Sequence, residues 1–269
     1  MFKMNYKRIY FMDDRPDVYL DCFVSSTRLK NRDALLIIPG GGYCVVCTSH
    51  EGYPIAEAFQ PYGFNCFVLH YHVGDDMKYP EPQLEASYAM KYIRENSDAL
   101  EINPERVFIM GFSAGGHLAG CLAAKWQEYA VEPYGINKPT GAVLCYPVLT
   151  AEEGHRHTES FCNLLKKDNI DDVDLAPYSI DKCVSEHSAP AFFMHTSDDP
   201  VVPVESSLFT ALAYKENGIP FEMHIFNHGP HGVSLANEVT CTPDSDCAFF
   251  DSDIAKWVEY AAKWMRRIK

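Results

Sequence analysis

Short apolar runs alternate with amphipathic stretches along most of the chain. The runs Tyr6–Tyr10, Asp17–Val24, Ala34–Ile38, Asn65–Tyr71, Arg106–Met110, Ala142–Tyr146, Ala191–His195 and Phe221–Phe226 predict strands. From the third onward they are brief, rich in Val, Ile, Leu and Phe, and closed by Gly, Pro or polar residues. That is the pattern of strands buried on both faces of a parallel sheet. The first two are separated only by Asp13-Asp14-Arg15-Pro16, which predicts an antiparallel hairpin at an edge. Helical patterns cover Tyr53–Pro61, Gln83–Ala99, Ala114–Tyr129, Pro203–Asn217 and Ser252–Arg267. In the second, Leu84, Tyr88, Tyr92 and Ile93 form the expected apolar stripe; in the last, Ile254, Trp257, Val258, Ala261 and Trp264 recur at three- and four-residue intervals. Alternating β and α units joined by right-handed crossovers imply an α/β fold, a mostly parallel eight-stranded sheet with helices on both faces.

The rhythm breaks between about 149 and 188. This stretch is polar, carries His155, His157, Asp168, Asp171, Asp172 and Asp174, and has only a short helical patch near Phe161–Lys167. A long insertion after a strand is usually functional, so it reads as a partial lid. With no repeat, low-complexity tract or linker, residues 1–269 form one domain.

Charge changes the picture next. The 23 basic and 37 acidic residues leave a net charge of −14, which repels phosphate backbones and anionic lipid and argues against a nucleic-acid or membrane partner. Residues Met1–Tyr10 alternate basic and apolar positions without an apolar core, so no secretory signal is expected, and no later run is long enough to span a bilayer. The ten cysteines are scattered, which fits reduced thiols and a cytoplasmic location. Cys44 and Cys47 have CxxC spacing, but Cys241 and Cys247 are too far apart to supply a second pair, so both read as incidental loop cysteines. No metal or cofactor site is expected. Oligomeric state, a homo-oligomer included, is open on sequence alone.

The strongest chemical signal is Gly111-Phe112-Ser113-Ala114-Gly115, a G-x-S-x-G between a strand and a helix. Such a sharp turn exposes a serine hydroxyl in a strained conformation, and the flanking glycines avoid collisions with the neighbouring strand and helix. Three glycines at 40–42 follow the strand ending at Ile38. The amides of Gly41 and Gly42, with that of Ala114, would stabilise an oxyanion. Two aspartates, Asp198 and Asp199, follow the strand Ala191–His195, and two histidines, His228 and His231, follow the last strand. Spacing alone leaves either aspartate as the acid and either histidine as the base. The order Ser, Asp, His is the one α/β-hydrolases use, and each member follows a predicted strand, where open α/β sheets bind ligands. His70, His72 and His117 read as structural groups. Trp126, Trp257 and Trp264 read as helix-packing residues.

Taken together, PGGGY at 39–43, EGYPIAEAF at 51–59, GFNCFVLHYHV at 63–73, INPERVFIMGFSAGGHLAG at 102–120, HTSDDPVVPVESS at 195–207 and HGPHGVSLA at 228–236 cover most of the chain. The sequence resembles the small carbohydrate-esterase branch of the α/β-hydrolases, related to the hormone-sensitive-lipase group. That branch includes acetyl xylan and feruloyl esterases and proteins labelled sugar hydrolases. The resemblance implies Ser113 as nucleophile, Asp199 as acid, His231 as base, and Gly41, Gly42 and Ala114 as oxyanion donors. One departure is Pro39, which stands where the lipase group has histidine; the donors are backbone amides, so the hole should survive. Stretches 149–188 and 233–250 match only loosely.

The expected function is a serine carboxylesterase that removes short acyl groups, acetyl above all, from sugars or xylo-oligosaccharides through an acyl-enzyme. Tyr43 and His157 are candidate substrate contacts. The alternatives are a peptidase or arylformamidase on the same triad, or a non-catalytic binding protein on a hydrolase fold.

Overall fold

The computed structural model describes residues 4–25, 31–240 and 249–269. Cys241 and Cys247 lie outside the described residues. The strands are β1 (Met4–Ile9), β2 (Tyr19–Ser25), β3 (Arg32–Ile38), β4 (Phe64–His70), β5 (Ile102–Phe112), β6 (Ala142–Cys145), β7 (Ala191–Thr196) and β8 (Phe221–Phe226). The helices are α1 (Thr48–Glu51), α2 (Tyr53–Phe59), α3 (Glu81–Glu95), α4 (Ser97–Leu100), α5 (Ser113–Lys125), α6 (Thr158–Leu165), α7 (Ile180–Cys183), α8 (Glu205–Glu216) and α9 (Trp257–Arg267).

The strands form one sheet in the order β1-β2-β4-β3-β5-β6-β7-β8. β1 and β2 pair antiparallel at the edge, as does β2 with β4; every other pair is parallel. This is the α/β-hydrolase fold. Strand periodicity sends alternate residues to opposite faces. Leu36, Ile109, Leu144 and Phe193 join the core packed with Ala86, Met90, Leu118, Leu122 and Tyr214 from α3, α5 and α8. Leu35, Ile37, Phe108, Met110, Val143 and Phe192 join the opposite core, packed with Ile55 and Phe59 of α2 and Trp257, Ala261 and Met265 of α9. The central strands are apolar at successive positions because both faces are covered.

Two expectations change. β5 begins at Ile102 rather than Arg106, pairing Ile102 with Arg32 across a register shift that polar Asn103-Pro104-Glu105 conceals. On α3 the stripe Leu84, Tyr88, Tyr92, Ile93 faces the core only in part: Ile93 is buried and Leu84 and Tyr92 pack against the core half-buried, but Tyr88 does not. Tyr88 is 41% exposed, whereas Ala86, Ala89, Met90 and Ile93 are fully buried. Small residues mark the close side of this helix, and the large aromatic side chain faces out.

The stretch after β6 folds over α5 around a small core of its own, in which Phe161, Ile170 and Leu175 pack with Val148 and Val202. It holds α6, where a short helical patch was expected, and α7, whose first amide, from Ile180, donates to the Leu149 carbonyl at 2.7 Å.

β3 and β5 lie side by side, with Ile38 level with Gly111. The chain runs from β3 to β4 on one side and then crosses to β5 on the other, so a crevice opens at their carboxyl ends.

Candidate active site

Ser113 is the first residue of α5 and follows the last residue of β5 directly. Its φ of +51° is the left-handed conformation a non-glycine residue seldom adopts. The turn is tight enough that a Cβ at Gly115 would stand 2.3 Å from the carbonyl oxygens of both Ile38 and Pro39. Ala114 is second in the helix, so its N–H has no intrahelical acceptor.

After β3 the backbone passes through positive φ at three successive residues: Gly41 at +124°, Gly42 at +63° and Tyr43 at +61°. The Gly41 carbonyl accepts the amides of Cys44 and Val45 at 3.0 and 3.1 Å, and the Gly42 carbonyl accepts Asn163 Nδ2 of α6 at 2.8 Å. Gly41 and Gly42 line a cleft of about 640 Å³ together with Ser113, His157, Glu159 and His231.

His231 Nε2 lies 2.8 Å from Ser113 Oγ, and His231 Nδ1 lies 2.7 Å from Asp199 Oδ2. A carboxylate only accepts, so Nδ1 carries the proton and Nε2 presents its lone pair to the serine hydroxyl. Asp199 Oδ1 accepts the amides of Val201 and Val202 at 2.9 and 3.0 Å. Behind it, buried His195 donates from Nε2 to the Val202 carbonyl at 3.0 Å, accepts from the Ser207 hydroxyl at Nδ1, and stands 3.5 Å from Asp199 Oδ2. Burial alone would raise the Asp199 pKa. The neighbouring His195 ring, the hydrogen bond from His231 and the Val202 amide outweigh it and hold the carboxyl well below the usual carboxylate range.

The second aspartate–histidine pair is separate. His228 Nδ1 lies 2.6 Å from Asp198 Oδ2, and the Gly229 amide donates to Asp198 Oδ1 at 2.8 Å. That pair is exposed; the imidazole beside the serine is that of His231.

Of the two candidate substrate contacts, His157 lines the cleft. Its Nδ1 lies 2.8 Å from Ser160 Oγ, and burial followed by the nearby His231 lowers its pKa. Tyr43 is a correction. Its positive φ turns the ring inward, where it is 1% exposed, and its hydroxyl donates to His117 Nδ1 at 2.7 Å. His117 completes that tie by donating from Nε2 to the Tyr178 carbonyl at 2.9 Å, joining the glycine loop, α5 and the stretch after β6. Buried there, its pKa is lowered to about 4. His155 faces Glu205 and the Phe209 ring. Sequence reasoning missed His195, Glu51 and Tyr146. The signal for Glu51 was a carboxylate at the head of EGYPIAEAF, close after the glycine loop. Cys44 and Cys47 also line the cleft. Among the described residues, no group of three His, Cys, Asp or Glu side chains could hold a metal ion, and no helix is long and apolar enough to cross a membrane.

Comparison with known proteins gives three kinds of match. The BD-FAE family matches residues 20–213. Endo-1,4-beta-xylanase B of Butyrivibrio fibrisolvens is 39% identical over 214 residues, which is 77% of this chain and 33% of that protein. The acetylxylan esterase of Xylanibacter ruminicola is 32% identical over 206 residues, 75% of this chain and 41% of that protein. The chain thus spans well under half the length of these relatives. Among solved structures, the acetyl ester-xyloside bifunctional hydrolase from Caldicellulosiruptor lactoaceticus superposes with a TM-score of 0.84 at 32% identity, covering 97% of this chain and 96% of that one.

Proposed function

The chain belongs to the BD-FAE family, and we propose that it is a serine carboxylesterase that removes short acyl groups, acetyl above all, from sugars or xylo-oligosaccharides. The observation that carries this reading is the row Ser113–His231–Asp199, with hydrogen bonds of 2.8 and 2.7 Å and a tautomer that leaves Nε2 basic. His231 takes the proton from Ser113 as Oγ attacks the ester carbonyl. The amides of Gly41, Gly42 and Ala114 stabilise the oxyanion, and His231 then protonates the departing alcohol. Water attacks the acyl-enzyme with His231 again as base, which releases the acid and restores the serine. Asp199 stays ionised and holds the imidazole. His157, on the rim of the cleft, is the contact we assign to the alcohol portion of the substrate. The preference for acetylated sugars rests on the acetylxylan esterase and acetyl ester-xyloside hydrolase among the relatives. A single domain with the stretch after β6 as a partial lid, and a cytoplasmic setting for its buried thiols Cys22, Cys66, Cys121 and Cys145, complete the proposal.

The test is a screen of acetylated xylo-oligosaccharides, feruloylated sugars and p-nitrophenyl esters of increasing chain length, with Ser113→Ala as control. Acetyl esters should turn over fastest and the variant should be inactive with an unchanged circular dichroism spectrum. Wild-type turnover by Ser113→Ala would overturn the reading.

A further inference from the structure

Glu51, the last residue of α1, is only 4% exposed, and two donors converge on its carboxylate. Oε2 accepts the Gly40 amide and Oε1 accepts the Tyr146 hydroxyl, each at 2.8 Å. Gly40 leads directly into the turn that carries Gly41 and Gly42. The fit is close: a Cβ on Gly40 would stand 2.8 Å from Glu51 Oε2. Tyr146 follows β6 with a φ of +36°, and its ring meets the His231 imidazole edge-on at 5.1 Å. Its oxygen also accepts the Ser234 amide at 3.2 Å. The neighbouring His50 adds a second tie to the same loop. Its Nε2 donates to the Gly232 carbonyl at 2.6 Å, and its carbonyl accepts the Ser234 hydroxyl at 2.6 Å. One dipeptide therefore grips the glycine loop on one side and the loop of the base on the other.

Stabilising an oxyanion requires donors held to within about 0.5 Å of their working position before the reaction begins. A turn with three successive positive φ values does not hold itself there. We propose that Glu51 is a positioning residue for ester cleavage: through Gly40 and Tyr146 it sets the Gly41–Gly42 amides at a defined distance from His231. This rests on the reading of the site given above. An ionised carboxylate suits the place because it can accept on both oxygens, whereas an amide offers one acceptor and one donor.

The experiment compares Glu51→Ala, Glu51→Gln and Tyr146→Phe with the parent enzyme on p-nitrophenyl acetate, with thermal melting as a check on folding. For Glu51→Ala the expected loss is about 100-fold in kcat with KM within about threefold, because a mispositioned oxyanion hole weakens the transition state and not the ground state. Glu51→Gln keeps one acceptor and should lose only about tenfold. Affinity for phenylboronic acid, which forms a tetrahedral adduct on Ser113, should fall in the same order. If Glu51→Ala does not fold, Glu51→Gln and Tyr146→Phe decide the matter. Wild-type kcat and boronate affinity in both would overturn the proposal. The rate at which a fluorophosphonate labels Ser113 reads the same loop without any ester. It should slow in the Glu51 variants, and an unchanged rate would sink the role of Glu51 whether or not the esterase reading holds.

Discussion

Two histidine–aspartate pairs join the loop after β7 to the loop after β8, and they begin one residue apart. His228 and Asp198 make a 2.6 Å hydrogen bond, His231 and Asp199 one of 2.7 Å. Bond length does not distinguish them; surroundings do. The His228 and Asp198 side chains are 70% and 47% exposed, so water and salt screen their attraction. Asp199 is fully buried, His231 is 18% exposed, and a third group, the Ser113 hydroxyl, completes the inner row. The same two residue types form a loop fastening in one place and, in the proposed mechanism, a proton-transfer device in the other. Burial strengthens each electrostatic contact of the inner pair and leaves a broken one uncompensated.

The comparison can be broken hardest at the inner pair. His231→Ala should lower kcat for p-nitrophenyl acetate by about 10⁵- to 10⁶-fold, with KM little changed in steady-state assays. Asp199→Asn should cost about 10⁴-fold, because the amide turns a donor toward Nδ1 and selects the wrong tautomer. The same variant sharpens the contrast in stability. A carboxyl whose folded-state pKa is depressed adds stability above its unfolded-state pKa and loses it as pH falls through the folded-state value. Thermal melts from pH 6 to pH 2 should therefore fall less steeply for Asp199→Asn than for the parent chain.

His117 extends the contrast to a buried imidazole outside the Ser113–His231–Asp199 row. Its pKa of about 4 lies below the unfolded value, so the unfolded chain binds the extra proton first. Stability is lost as pH falls below about 6.5, and the loss levels off below about 4, reaching on the order of 3 kcal/mol. Urea unfolding at pH 7 and pH 4.5 should show a smaller pH dependence for His117→Gln than for the parent. The smallest effect belongs to the outer pair. His228→Ala should leave kcat within a factor of about two, since an exposed ion pair contributes little. A loss approaching that of His231→Ala would remove the distinction on which the assignment rests.

Some of this was legible before any coordinates. The β3 and β5 runs and the two glycine motifs predicted where the strained Ser113 turn and the glycine turn lie. Strand alternation and glycine spacing are local properties written into neighbouring residues. The sorting of α3 was not legible, because Tyr88 and Ala89 differ in which neighbour they meet rather than in any local pattern. Tyr43 looked like a cleft residue by position, and the left-handed backbone at Gly41–Tyr43 turned it inward against His117. Glu51 carried no motif of its own; its meaning lies in Gly40 and Tyr146, which are 11 and 95 residues away in the chain.

By itself the sequence determined the order of strands and helices, the strained serine turn and the set of residues able to act as base and acid. Those follow from short-range sterics and from hydrophobic periodicity. Spacing left open which imidazole meets Ser113 and which carboxylate stands behind it; the resemblance implied His231 and Asp199, and the fold brings those two to the serine. Only the tertiary structure decided which buried groups hold the two loops in register. Each of these depends on distances between loops at the ends of different strands, and such distances are set by how the sheet twists and packs rather than by spacing along the chain.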